Sequence, residues 1–338
     1  MGNPQVLCLG EILFDCLADQ LGQPLDKVMS WTRYPGGAPA NVACGLVKLD
    51  IPSAFIGCIG SDSIGEELVN VLQDVGVNTW GVQRHPSLAT RQVYVIRSLD
   101  GDRHFAGFGS TPTVDFADTQ LTADHLPEEV FKQAQYLVLG TITLAYPQSR
   151  QAVYRAVEWA KKYHLKIFLD INWRSVFWEQ PEGAIALIND LLNTASFLKC
   201  TDEEAEQFFQ TQNTAAIQQR FRNLQGILIT AGERGCHYQL GNNQGFIPAF
   251  PVQVIDTTGA GDSFVAGFLK QLVEQNDQLF EDRSLAQAAI RYASAAGALT
   301  TTKLGAIAAQ PTDTDIQAFL SDFRLTEFSP KGKQSEGN

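Results

Sequence analysis

Short apolar runs alternate with helix-length amphipathic segments along this chain, and that rhythm limits what it can fold into more than any other feature. Val6 to Gly10, Ala54 to Ile59, Tyr136 to Gly140, Ile167 to Ile171, Phe197 to Cys200 and Gly226 to Thr230 read as strands. Helical patterns fall near Ala40 to Lys48, Gly65 to Val75, Gln148 to Tyr163, Gly183 to Asn193, Glu203 to Phe209, Gly261 to Glu274 and Ser284 to Thr300. The alternation predicts an α/β fold, a central and mostly parallel sheet with helices on both faces. In such sheets ligands bind beyond the carboxyl ends of the strands, so the loops there are where chemistry is to be sought.

Two regions break the rhythm, Cys16 to Tyr34 and Thr79 to Phe108, and both read as antiparallel ribbons. In the second, Asp100-Gly101 is a hairpin signal between strand-like halves. Ribbons inserted into an α/β protein predict a small β-lid, at about residues 16–34 and 79–108 of a single domain spanning 1–328. An ordinary edge extension of the sheet is the alternative. Val93 and Val95 alternate with Tyr94 and Ile96, so both ribbon faces are apolar, a surface that predicts a homodimer through the lids. The polar, turn-rich segment Ser329 to Asn338 is expected to be disordered.

Composition removes several classes of function. With 338 residues, 44% of them hydrophobic, a sizeable core is assured. A net charge of -12 without a basic stripe repels phosphate backbones, so nucleic acid is not expected as a partner. No apolar run approaches the roughly 18 residues of a membrane span, and MGNPQVLCLGE has no basic segment or cleavage site, so a cytoplasmic protein away from the membrane is expected. Cys8, Cys16, Cys44, Cys58, Cys200 and Cys236 form no C-x-x-C pair and read as buried free thiols; the five histidines show no metal spacing, and no structural metal is expected.

The stretch DTTGAGDSF, Asp256 to Phe264, carries the sharpest chemistry. Its glycines let a backbone approach an anion, and the helix that follows aims free N–H groups and a positive dipole end at the same place. Asp262 would repel that anion unless its task is to remove a proton. Elsewhere on the rim, PGGAPANVACG offers Gly36 and Gly37 as a hinge or a plain turn, and Asn41 as donor and acceptor to a polyol. GEILFD places Asp15 after the first strand, where a carboxylate holds sugar hydroxyls or simply faces solvent. DINWR supplies Asn172 and Arg174; the arginine's planar fork suits a phosphate or a surface ion pair. KCTDEEAE sets Thr201 and Glu204 at capping-box spacing, while a carboxylate there also suits the water shell of Mg²⁺. ITAGERG is a glycine-bearing loop after a strand, suited to backbone contact with a nucleotide. There is no G-x-x-x-x-G-K-[ST], and GAGDSF fails G-x-G-x-x-G.

In this order and spacing, GEILFD, PGGAPANVA, IGCIGSDSIG, DINWR, ITAGERG and DTTGAGDSFVAGF resemble the ribokinase-like (PfkB) sugar kinases over roughly residues 5 to 325. The resemblance implies phosphoryl transfer from ATP to a sugar hydroxyl. Asp262 would be the general base and the N–H groups of Gly259, Ala260 and Gly261 the anion hole. Asp15, Gly36, Gly37, Asn41 and Asn172 would meet the sugar. Arg174 would clamp the phosphate, Glu204 would organise Mg²⁺ waters, and Thr230, Gly232 and Gly235 would line the nucleotide. Thr201 departs from the asparagine common in the family's N-x-x-E motif, which leaves its nucleotide-side role open. Activation by K⁺ near Asp256 is a further family trait. Within the family GEILFD, PGGAPANVA and DINWR look most like fructokinases, with 2-keto-3-deoxygluconate and ribose kinases as the near alternatives and a non-catalytic sugar sensor as a remoter one.

Overall fold

A computed structural model describes residues 3–98 and 103–327; the turn expected at Asp100-Gly101 and the tail expected to be disordered lie outside the described residues. In chain order the strands are β1 (Val6–Leu9), β2 (Leu13–Ala18), β3 (Trp31–Gly36), β4 (Ser53–Gly60), β5 (Asn78–His85), β6 (Gln92–Arg97), β7 (Arg103–Gly107), β8 (Tyr136–Leu139), β9 (Lys166–Asp170), β10 (Phe197–Thr201), β11 (Gly226–Thr230), β12 (Gly235–Leu240) and β13 (Asn243–Pro248). Nine of them form one sheet in the order β13-β12-β11-β10-β9-β8-β1-β4-β5, and four form a second in the order β3-β2-β6-β7. From β11 across to β5 the large sheet is parallel; β12 and β13 extend it antiparallel.

Period-two alternation explains the layering. Val6 and Cys8 of β1 enter one core while Leu7 and Leu9 enter the other, and β8 repeats the division with Tyr136 and Val138 against Leu137 and Leu139. The helices Ala38–Lys48, Ala260–Gln275 and Arg283–Thr300 cover the first face; Pro147–Lys162 and Ala184–Leu192 cover the second. Each fully buried Leu or Ile contributes about 1.5–3 kcal/mol, so a sheet apolar on both sides is stable only when sandwiched in this way. All six cysteines are buried free thiols.

The expected lid boundaries need correction. Residues 78–85 are not ribbon: β5 is the edge strand of the large sheet, paired parallel to β4 from Ala54↔Asn78 to Gly60↔His85. An edge strand has one neighbour and a wet side, so NTWGVQRH stays half polar and resembles the ribbon that follows. The two ribbons are also not separate, because β2 pairs parallel with β6 and fuses them. Chain order reverses between β8 and β1, and the carboxyl ends of β1, β9, β10 and β11 share one rim there, facing the small sheet's connections.

Candidate active site

The helix Ala260–Gln275 brings Asp262 to that rim. Gly259 is its N-cap with φ +76, and a Cβ there would stand 2.7 Å from the Ala306 Cβ, so only glycine fits. The first N–H groups of the helix have no intrahelical acceptor. Of the three anion-hole candidates, Ala260 is engaged in a long turn bond, its N–H 3.3 Å from the Thr257 carbonyl, so Gly259 and Gly261 offer the more open donors. Asp256 braces the approach: its two oxygens accept the N–H groups of Thr258 and Gly305, each at 2.9 Å.

Asp262 Oδ2 accepts a hydrogen bond from Asn41 Nδ2 at 2.8 Å, joining residues 221 positions apart in the chain. Asn41 is buried in the first turn of helix Ala38–Lys48, and its Oδ1 has no protein partner among the described residues. Burial pushes the Asp262 carboxyl above its ordinary range, while the Asn41 amide, the Lys199 ammonium and the Arg174 guanidinium oppose that rise. Arg174 is exposed, and its Nη1 donates to the Trp173 carbonyl at 3.0 Å. Asn172 sits in the same loop with φ +38.

Glu204 ties this loop down. Its Oε2 accepts the Thr201 N–H at 2.8 Å and its Oε1 the Trp173 N–H at 2.6 Å, while Thr201 Oγ1 accepts the Glu204 N–H at 3.1 Å. The capping box read from the sequence is therefore formed, and it also anchors DINWR. Thr201 is in register with Thr230, so the Thr201, Glu204, Thr230 and Gly232 positions share the carboxyl ends of β10 and β11; Gly235 opens β12.

Asp15 does not lie on the loop leaving β1, as its motif suggested, but inside β2, opposite Tyr34 of β3 and Val93 of β6. Its Oδ2 lies against Gly36, where a Cβ would come within 2.5 Å. Gly37, with φ +103, caps helix Ala38–Lys48, and a Cβ on it would sit 2.5 Å from the Glu11 carbonyl oxygen.

Two groups escaped the sequence reading. Lys199, buried on β10, places Nζ 3.1 Å from both oxygens of Asp170 on β9 and 3.2 Å from where a Gly261 Cβ would be, beneath the start of the Asp262 helix. Burial pushes the Asp170 carboxyl above its ordinary range, and the Lys199 ammonium pulls it back down. Glu11 is buried in the turn between β1 and β2, accepting the Ala38 N–H at 3.1 Å. Both sat inside runs read for their apolar neighbours; a charged residue within a buried-strand pattern was the available signal.

A carboxylate held by an amide in the first turn of a helix, within the field of the Lys199 and Arg174 cations, has the surroundings that general-base chemistry beside an anion requires. The model of the pfkB family carbohydrate kinases matches residues 3–313. The chain belongs to that family. Among curated relatives of this kinase, Fructokinase-2 of Oryza sativa subsp. japonica is 35% identical over 321 residues, 94% of each chain. Fructokinase-1 of Zea mays is 34% identical over 318 residues, covering 93% of this kinase and 97% of the maize protein. The kinase superposes on the crystal structure of the Xylella fastidiosa fructokinase with bound ATP at a TM-score of 0.85, with 28% identity over 94% and 98% of the two chains. The Vibrio cholerae O395 fructokinase, crystallised with fructose, ADP and calcium ion, gives 0.79, also at 28% identity, over 94% and 99%.

Proposed function

We propose that this kinase transfers the γ-phosphoryl group of ATP to the 6-hydroxyl of D-fructose. The Asp262–Asn41 hydrogen bond carries the reading, because it holds a carboxylate with the acceptor geometry of a base at the head of a helix. In the reaction Asp262 takes the hydroxyl proton as the sugar oxygen bonds to the γ-phosphorus; the bond from that phosphorus to the β–γ bridging oxygen breaks, and ADP leaves. The N–H groups at Gly259, Ala260 and Gly261 receive the charge of the transferring group, with Arg174 as its mobile clamp. Asp15, Gly36, Gly37, Asn41 and Asn172 form the sugar end, and the small sheet is its lid.

Thr201, Thr230, Gly232 and Gly235 form the nucleotide end. Val254, Ile255 and Leu304 expose apolar side chains on the segments that Asp256 ties together, a surface suited to a flat base. The donor set fits a metal carried mainly by phosphates and water: Asp170, Glu204 and Asp262 surround Lys199, but both Glu204 oxygens already hold backbone N–H groups. Bound with the nucleotide, Mg²⁺ would supply charge neutralisation on the phosphates. Glu204 would hold its waters, and K⁺ would act near Asp256.

No helix among the described residues is long and apolar enough to cross a membrane, and six buried unpaired thiols support a cytoplasmic kinase. The small sheet and its loop expose Leu25, Met29 and Phe105, which supports a dimer through the lids. ADP release with fructose as acceptor tests the reaction; release with ribose or 2-keto-3-deoxygluconate in its place would reassign the sugar.

A further inference from the structure

Four chain segments cross between the two sheets, and they cross in pairs. Residues 10–12 lead from β1 into β2, and Gly37 leads from β3 back to helix Ala38–Lys48; these two are pressed together, Gly37 against the Glu11 carbonyl and Gly10 against Pro39. Residues 86–91 lead from β5 into β6, and residues 108–116 return from β7. A buried ionisable side chain staples each pair. Glu11 accepts the Ala38 N–H across the first. Arg91, 1% exposed, spans the second: Nε and Nη2 meet Asp118 at 2.6 and 2.8 Å, Nη2 meets the Thr113 carbonyl at 2.9 Å, and Phe108, Phe116, Tyr146 and Phe177 surround the guanidinium.

From this arrangement we propose that Glu11 is a positioning residue at the hinge of the small sheet, fixing Asp15 and Gly36 relative to Asp262, and that the hinge holds its sugar-binding geometry only while Glu11 carries a proton. The first turn of helix Ala38–Lys48 is the shared part: Ala38 is held by Glu11, and one residue in the same turn, Asn41, holds Asp262 and keeps a buried, unpartnered oxygen for a ligand. Burial raises Glu11 to about 8, against its own N–H and that of Ala38, and the negative charges of Asp118 and Asp262 add to the rise. Arg91, from the neighbouring staple, is a cation within the field of Glu11. A neutral carboxyl accepts the Ala38 N–H without repelling either aspartate; an ionised one in the same place faces both.

The inference rests on fructose binding beside Asp262, so the test reads the hinge in two ways. Fructose binding without nucleotide is followed by calorimetry from pH 6.5 to 9.5, and thermal unfolding from pH 5 to 9, for the wild type, Glu11→Gln and Glu11→Ala. Wild-type affinity should hold steady up to about pH 8, then weaken on the order of tenfold per pH unit. Glu11→Gln, which keeps a neutral group of the same shape, should bind within about threefold of wild type at pH 7 and lose the alkaline decline; Glu11→Ala should bind roughly three- to tenfold more weakly throughout. Because the folded protein keeps a proton that the unfolded chain has released, wild-type stability relative to Glu11→Gln should fall as pH rises from 5 to about 8 and then stay level. An unchanged alkaline decline in Glu11→Gln, a Gln variant as weak as the Ala variant at pH 7, or a stability gap that ignores pH would each overturn the proposal. If the wild type binds no fructose, the substrate assignment falls, while the stability gap still decides whether Glu11 keeps its proton.

Discussion

Asp262 and Asn41 stand out in the sequence because each sits in a motif rich in small residues; that the two hydrogen-bond to each other is visible only in the fold. Lys199 was not legible: on β10 it follows Phe197 and Leu198, and only the folded sheet sets it opposite Asp170 and under Gly261. Removing its charge from a buried pair leaves Asp170 unpaired, so Lys199→Met should destabilise the protein by about 3–5 kcal/mol, measured by urea unfolding. The same variant withdraws a charge that favours the ionised form of Asp262. Since the base works deprotonated, the acidic limb of kcat/KM should move to higher pH in Lys199→Met; a limb that stays in place would separate Lys199 from the base. Gly37 makes a different demand. Its φ of +103 and the close Glu11 carbonyl both exclude a side chain, so Gly37→Ala should cost at least about 1–3 kcal/mol in thermal unfolding and raise KM for the sugar more than KM for ATP.

At the scale of elements, the buried strands and amphipathic helices named from the sequence match within a residue or two, since both rest on local periodicity: Gly226 to Thr230 matches β11, and Ala40 to Lys48 grows only to Ala38–Lys48, whereas β12, β13 and the helices Thr214–Arg220 and Asp313–Glu327 were not read. What local pattern could not supply was partnership. The β5 strand went to the lid because alternation does not say which sheet a strand joins, and the parallel pairing of β2 with β6 connects residues about eighty apart. Arg91 belongs to this scale, because its aromatic box joins the root of β6 to Phe108 after β7 and to Phe177 just past Arg174. Arg91→Met should therefore destabilise by about 3–5 kcal/mol by leaving Asp118 buried and unpaired. Limited proteolysis should then cut first in the small sheet; unaltered cleavage would show that the box does not hold the lid.

The whole molecule is a three-layer α/β body whose strand carboxyl ends share one rim, with a four-stranded sheet beside it that exposes Leu25, Met29 and Phe105. Sedimentation velocity should find a dimer that Phe105→Asp converts to monomer, and a wild-type monomer at micromolar concentration would remove the lids as an interface. The central claim is that Asp262 deprotonates fructose in front of a backbone anion hole. The most direct test is coupled ADP release with MgATP across fructose, ribose, glucose, 2-keto-3-deoxygluconate and fructose 6-phosphate, with Asp262→Asn beside the wild type. The account predicts that fructose gives the highest kcat/KM and that Asp262→Asn lowers kcat on the order of 10² to 10⁴ while still binding both substrates. Turnover by Asp262→Asn equal to that of the wild type, or no turnover of fructose, would contradict it.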